Sequence, residues 1–383
     1  MAKTSMRTRK EIIKRYEAAY RKAGKKQKGQ ILDIICESTG LSRSRAKHII
    51  VQSRTKLPKK TKPGRKVKYD GEFAVALEKI WAYMDFACGR RLVAGMGDML
   101  ESLVTHGEIN FTPEIMGKLK EVSASTADRL LVKAKKGLGF KGKSTTKPGT
   151  LLKRDIPIRM GNEWDDAVPG FVEIDLVAHC GPTTAGDYVN TLSVTDISTG
   201  WTETQAVLNK AQLHVFNALK VINHQQPFRF KGIDSDNGSE FINAHLQRWC
   251  KQEKIYYTRS RPYKKNDNCH VEQKNWHVVR RNIGYNRYEG QAAVEAMNDY
   301  YALLRLYSNF FLPQTKLTAK FRVGARIRKK YDIPKTPYRR LLESEHIPAE
   351  TKASLQEIYA IINPAAIQRD MFAALERLLA FGI

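Results

Sequence analysis

The chain has 383 residues and a formal net charge of +27, with 42% hydrophobic and 27% charged residues. That length accommodates two to four domains with sizeable cores, while the absence of any membrane-length apolar stretch or apolar N-terminal segment argues against a spanning or secreted protein. Five scattered cysteines, odd in number and without CxxC spacing, argue for a reducing compartment and against a structural zinc site.

Residues 1–69 hold 22 Lys and Arg against 4 Asp and Glu, so two thirds of the positive excess lies in less than a fifth of the chain. Such a concentration is the electrostatic footprint of an arm that binds a polyanion. Within it, residues 8–23 carry Ile12, Ile13, Tyr16, Ala19 and Tyr20 at helical spacing. A second helix from about Lys28 presents Ile31, Leu32, Ile34 and Ile35. Thr39-Gly40-Leu41 reads as a tight turn, and Ser42 as the N-cap of a third helix, 43–52. That helix turns Arg43, Arg45, Lys47 and His48 outward, with Ala46, Ile49 and Ile50 inward. Helix, short glycine turn and basic helix predict a DNA-binding helix-turn-helix over 1–53; the plainer alternative is a three-helix bundle with a solvated face. Residues 54–70 follow as a basic linker, whose Arg65 and Lys66 suit either a minor groove or a nonspecific phosphate contact.

Residues 71–137 predict a second helical unit, with Phe73, Val75, Ala76, Leu77, Ile80, Trp81 and Met84 as its apolar stripe. Thr112-Pro113-Glu114 starts one helix, and Ser123 caps another. This last helix carries Arg129 and Lys133 outward and Leu130, Leu131 and Val132 inward, which gives a second helix-turn-helix pattern. A glycine- and lysine-rich linker, 138–160, leads to an α/β region over 161–310. Its expected strands are 171–178, 188–196, 201–207, 229–235 and 255–258, and its helices 209–223, 239–252, 269–282 and 290–308. The remainder, 311–383, begins with a basic run of short strands and ends in helical spacing from 352 to 380. The stripe through Leu355, Ile358, Tyr359, Met371, Phe372 and Leu378 fits docking on the body or on a second protomer.

Three carboxylates stand out in the α/β region. Asp175 lies in a buried-strand pattern, Asp236 ends another short strand, and Glu272 opens a helix. Sixty residues separate the first pair and 35 the second. Strand, neighbouring strand and covering helix can bring three such groups onto one pair of Mg²⁺ ions, which prefer few, rigidly placed oxygen ligands. Glu173 and Asp234, two residues before Asp175 and Asp236, share their strand faces and compete with them for the role. Asp196 suits a turn-organising role. Trp276 and Val279 are expected to face the core, placing Glu272 on the inward edge of its helix; Asn275 is a candidate to orient a phosphate or water. Lys264, Lys265 and Lys274 are candidates to grip a DNA backbone, with solvated surface charge as the alternative. Cys269 and His270 lack a third orienting group for nucleophilic catalysis.

The segments Asp-Ser-Asp-Asn-Gly-Ser-Glu-Phe around Asp236 and Arg-Pro-Tyr-Lys-Lys-Asn-Asp-Asn-Cys-His-Val-Glu-Gln-Lys-Asn around Glu272 resemble those of DDE-type insertion-sequence transposases with a retroviral-integrase-like catalytic core. The resemblance covers roughly Trp164 to Tyr307. It implies an α/β ribonuclease-H-like core between all-α helix-turn-helix units and a small basic C-terminal region of short strands plus helices. It also implies that Asp175, Asp236 and Glu272 hold two Mg²⁺ ions, with Mn²⁺ as a substitute. The implied reaction is cleavage of a strand at the element's end and joining of its 3′-hydroxyl to target DNA. Its partners would be double-stranded DNA, both element ends and target, and a second copy in a homodimer or larger synaptic assembly, without a membrane. The expected location is the bacterial cytoplasm, on the nucleoid. Two other classes stay open: a transposase-derived regulator without catalysis, and a metal-dependent nuclease of the same fold.

Overall fold

The computed structural model describes residues 5–52, 68–135, 168–236, 238, 240–259, 271, 274–323 and 326–383. It divides into two compact units, Met1–Lys68 and Tyr69–Ile383.

The described residues of the first unit form α1 (Met6–Lys22), α2 (Lys25–Thr39) and α3 (Arg43–Gln52). Ser5 caps α1 by accepting the Thr8 N–H at 3.2 Å. Gly40, at φ +68°, ends α2 in the left-handed conformation that glycine adopts without a Cβ penalty. The core gathers Ile13, Leu32, Ile35, Ala46 and Ile50. Ile34 departs from the expected stripe and is exposed; two positions from Leu32, it lies about 200° around the helix.

In the second unit, five strands form one mixed sheet: β1 (Phe171–Ala178), β2 (Asn190–Asp196), β3 (Thr202–Val207), β4 (Gly232–Ser235) and β5 (Tyr256–Arg259). Their order is β3-β2-β1-β4-β5; the first three run antiparallel as a meander, and β1, β4 and β5 run parallel. Parallel neighbours require crossovers, supplied by α9 (Gln212–Gln225) before β4 and α10 (Ala244–Gln252) before β5. Val172, Ile174 and Leu176 alternate onto one sheet face and pack with Leu219, Ile222, Leu246 and Trp249 of those helices.

The long helix α12 (Gly290–Phe311), numbered after a short helix α11 (Arg281–Ile283), covers the β2–β3 end of the other face. There Tyr301 shares a 2.6 Å hydrogen bond with Thr191. An edge strand leaves every second backbone N–H and C=O without a strand partner. Asn309 satisfies both groups of Thr202, each at 2.9 Å, and Asn298 does the same for Ala206 at 2.7 and 3.2 Å. The asparagines sit three turns apart, matching the four-residue advance along β3.

Helices α4 (Gly71–Tyr83), α5 (Gly89–Thr105), α6 (Pro113–Glu121), α7 (Ala124–Leu130) and α8 (Val132–Lys135) have no core of their own. Phe73, Leu77, Ile80 and Leu103 join Tyr301, Leu304 and Leu378 in one apolar cluster. C-terminal helices α13 (Pro337–Glu343), α14 (Ala349–Ile361) and α15 (Pro364–Leu379) close it, with Leu355, Met371 and Leu378 buried on the body. Phe372 and Leu379 remain exposed. Val132, expected inward, is exposed because the chain turns at Leu131 and restarts as α8, which resets the helical phase. Strands β6 (Leu317–Val323) and β7 (Arg326–Tyr331) form a separate antiparallel ribbon. Among the described residues no helix is long and apolar enough to cross a membrane.

Asp85, on the α4–α5 turn, pairs with Arg281 at 2.6 Å, yet burial pushes its carboxyl up to about 6. A folded-state value above the ordinary 3.8 means the native protein binds this proton more tightly. The contribution to stability is therefore fully present below about pH 4 and is lost as pH rises through about 6. Asp85→Asn, which cannot titrate, should remove this dependence. The stability of wild type relative to the variant is expected to fall by roughly 2 kcal/mol across that window, read from urea midpoints. Parallel curves would contradict the assignment.

Candidate active site

The second sheet face, opposite α9 and α10, carries carboxylates along its parallel half. Strand alternation puts Glu173 and Asp175 together on this face, and likewise Asp234 and Asp236. The β1–β4 register pairs Glu173 with Asp234 and Ile174 with Ser235. The next residues in that register are Asp175 and Asp236, at the mouth where β4 ends. Ligands of open α/β sheets bind outside such carboxyl ends of parallel strands.

The four carboxylates differ in surroundings. Glu173 is fully buried and accepts the Val271 N–H at 3.1 Å. Asp234 is fully buried and accepts the Thr258 hydroxyl at 2.6 Å. Asp175 is half-buried: its Oδ1 accepts the Leu176 N–H at 2.8 Å, and its Oδ2 accepts the Asn275 amide at 2.6 Å. Asp236 is also half-buried, and its Oδ1 accepts the Gly238 N–H at 2.8 Å. A Cβ on Gly238 would lie 2.7 Å from Glu240 Oε1 and 2.9 Å from Asp236 Oδ1, so a side chain there would displace one of these carboxylates. The inner pair is thus fully buried within the fold, and the outer pair is the more exposed. Each carboxylate oxygen has two lone pairs, and a carboxylate is the ligand type a hard cation prefers.

Among the described residues, two polar atoms beside Asp175 have no hydrogen-bond partner. Ser193, its register partner on β2, has a buried hydroxyl with no hydrogen bond, and so does the buried Asn275 Oδ1. These are the orphaned groups a hydrated cation or its waters would satisfy. Ser193 had no distinguishing mark in the sequence; only the strand register identifies it.

Asn275 opens a π-helical segment, Asn275–Arg280, that continues into α11. The wider turn advances the phase less per residue than an α-helix. Val279 is accordingly buried as expected, but Trp276 is 44% exposed, contrary to the inward position read from α-helical spacing. Lys274 is a second correction. Expected to be available to DNA, it is buried, and its ammonium donates to Gln314 Oε1 and, at 3.4 Å, to the Gly200 carbonyl. Burial, with Arg91 and Arg340 nearby, pulls its pKa down to about 7.

Asp196 organises the β2–β3 turn by accepting the Thr199 N–H and hydroxyl, each at 2.7 Å, and the Gly170 N–H at 2.8 Å. In the first unit, Arg45 and Lys47 project from α3, while the Arg43 guanidinium is engaged by Asp33 and the Gly29 carbonyl. Arg129 and Lys133 are exposed. Glu272, Lys264, Lys265, Arg65 and Lys66 lie outside the described residues.

Residues 165–265 match the family described as integrase core domain. The uncharacterized protein y4rM of Sinorhizobium fredii (strain NBRC 101917 / NGR234) is 37% identical over 338 residues, 88% of this chain and 95% of that protein. Solved structures include the catalytic core domain of HTLV-2 integrase in complex with magnesium, 12% identical with a TM-score of 0.30, covering 39% of this chain and 93% of that one. The catalytic core domain of BIV integrase is 17% identical with a TM-score of 0.30, covering 46% and 96%. The chain belongs to the family that includes y4rM, and it carries an integrase core domain over residues 165–265.

Proposed function

We propose that the protein is a DNA transposase of the DDE type, cutting the strand at the ends of a mobile element and joining the new 3′-hydroxyl to target DNA. The observation that carries this reading is the β1–β4 register, which pairs Glu173 with Asp234 and Ile174 with Ser235, so that Asp175 and Asp236 are the residues that follow at the open end of the parallel pair. The integrase core match supports it, as does the density of positive charge before residue 70.

In this reading Asp175, Asp236 and Glu272 hold two divalent ions, Mg²⁺ or Mn²⁺. Bound there, the ions would supply activation of the attacking oxygen and stabilisation of the leaving one in an in-line displacement. Val271 and Asn275, which bracket positions 272–274, both bond to β1 carboxylates, and this supports Glu272 as the third ligand. Glu173 then acts as an anchor for that helix, leaving Asp175 as the ligand. Asn275 positions Asp175 rather than gripping DNA. The helical units over 1–53 and 71–137 read the element ends, with Arg45 and Lys47 of α3 and Arg129 and Lys133 as contacts. The core is of the ribonuclease-H type, and two ends handled together call for a dimer or larger assembly.

Incubation of the purified chain with element-end DNA and Mg²⁺ tests the proposal: cleavage followed by joining is expected. Binding without either reaction identifies a regulator instead, and cutting without joining identifies a nuclease. Asn275→Ala is expected to slow cleavage by about 10–100-fold with end binding retained, the usual effect of losing a group that orients a ligand. Unchanged cleavage would remove Asn275 from the site.

A further inference from the structure

Behind the π-helical segment lies a cavity of about 320 Å³ whose wall is crowded with cations. Arg91 from the start of α5, Lys274, Lys316, Lys329 from β7 and Arg340 from α13 line it, together with His277. The acids that feel these charges are already engaged. Asp332 pairs with Arg340 at 2.6 Å and accepts the Lys316 N–H at 2.7 Å. Asp85 pairs with Arg281, and the Asp196 oxygens are taken by Gly170 and Thr199. Among the described residues, Lys274 donates only to the neutral oxygens of Gln314 and Gly200. Arg91 donates no hydrogen bond to any described residue, and Lys329 projects exposed at the rim. Gathering like charges around one space is costly unless an anion shares it.

We propose that this cavity binds a phosphate group of a nucleic-acid backbone, with Arg91 and Lys329 as the residues that hold it. A free guanidinium fork matches two phosphate oxygens at once, and a lysine at the rim adds a mobile point charge. The volume admits a phosphate and its waters but not a base pair, so the contact is with backbone and not with sequence. Lys274 at the cavity and Asn275 on Asp175 are consecutive residues, so a strand held here is registered against the carboxylate face. The assignment rests on the reading of the chain as a DNA-acting enzyme.

The test is binding of the full chain to a random-sequence DNA duplex across a salt series, for wild type, Arg91→Ala and Lys329→Ala. A parallel thermal-unfolding series compares inorganic phosphate with chloride at equal ionic strength. Each substitution is expected to reduce the magnitude of the slope of log K against log salt by about 0.9, the value for one lost phosphate contact. Phosphate should raise the unfolding midpoint of wild type more than that of Arg91→Ala. Unaltered slopes in both variants overturn the proposal. A phosphate response with unaltered slopes assigns the cavity to a small phosphate compound and overturns the nucleic-acid source. If the slopes fall but the wild type neither cuts nor joins DNA, the cavity stands and the transposase reading falls.

Discussion

Asp236→Asn is expected to lower end cleavage and joining by at least about 10²–10³-fold, while the protein still folds and binds element ends. Asparagine keeps the shape of the side chain and an oxygen that can accept the Gly238 N–H, so the turn after β4 survives. It lacks the negative charge and the second oxygen needed to hold a hard divalent ion. Losing metal stabilisation of the charge that develops in phosphoryl transfer costs several kcal/mol, and each 1.4 kcal/mol is about tenfold in rate. Single-turnover cleavage, beside a binding measurement on the same DNA, checks both halves. A variant that cleaves within about tenfold of wild type would remove Asp236 from the site.

A comparably large effect on stability is expected at Arg305. Glu203 is only 2% exposed and accepts the Trp201 indole N–H at 2.7 Å and the Arg305 Nε at 2.7 Å. Burial holds its pKa above the ordinary 4.5 even with that guanidinium beside it. Arg305→Ala leaves a buried carboxylate with one neutral donor, a loss of about 3–5 kcal/mol near neutral pH. The sign of the pH dependence follows from the upward shift. The folded protein holds this proton more tightly than the unfolded one, so protonation relieves the cost at low pH and the deficit grows as pH rises. Urea unfolding at about pH 5 and pH 8 should show the larger deficit at pH 8. Glu203→Gln combined with Arg305→Ala should recover much of it and remove its pH dependence. An equal deficit at both pH values would mean that Arg305 acts through its other bond, to the Gln225 carbonyl at 2.6 Å, rather than through the buried charge.

The strands and helices of the sheet were legible because their apolar period is unambiguous: β1 runs over Phe171–Ala178 as its alternation predicts. Asp175 was legible as a carboxylate inside a buried strand and Asp236 as one ending another, but not their relative placement, which depends on a register fixed by long-range pairing. Glu173 could not be separated from Asp175 by pattern, since strand neighbours two apart share a face. Only depth distinguishes them, and depth comes from the elements packed above. Trp276 departs from α-helical spacing because a π-helical turn carries no signature in this sequence and shifts the phase of the residues within and after it. The burial of Lys274 is illegible for a related reason: on a helix, a lysine at the rim and one beneath a neighbouring loop look alike. The cation-lined cavity was invisible, as it draws single residues from positions as distant as Arg91 and Arg340.

Titration of Mn²⁺ into the full chain, followed by calorimetry or by the spectrum of the free ion, bears most directly on the carboxylate pair. Wild type should bind the ion. Asp175→Asn and Asp236→Asn should each weaken binding at least about tenfold, within the range expected when a charged ligand oxygen is lost. Glu173→Gln, which keeps an acceptor for the Val271 N–H, should leave it largely intact. Mn²⁺ affinity that survives Asp236→Asn, or that is lost in Glu173→Gln but kept in Asp175→Asn, would contradict the site described.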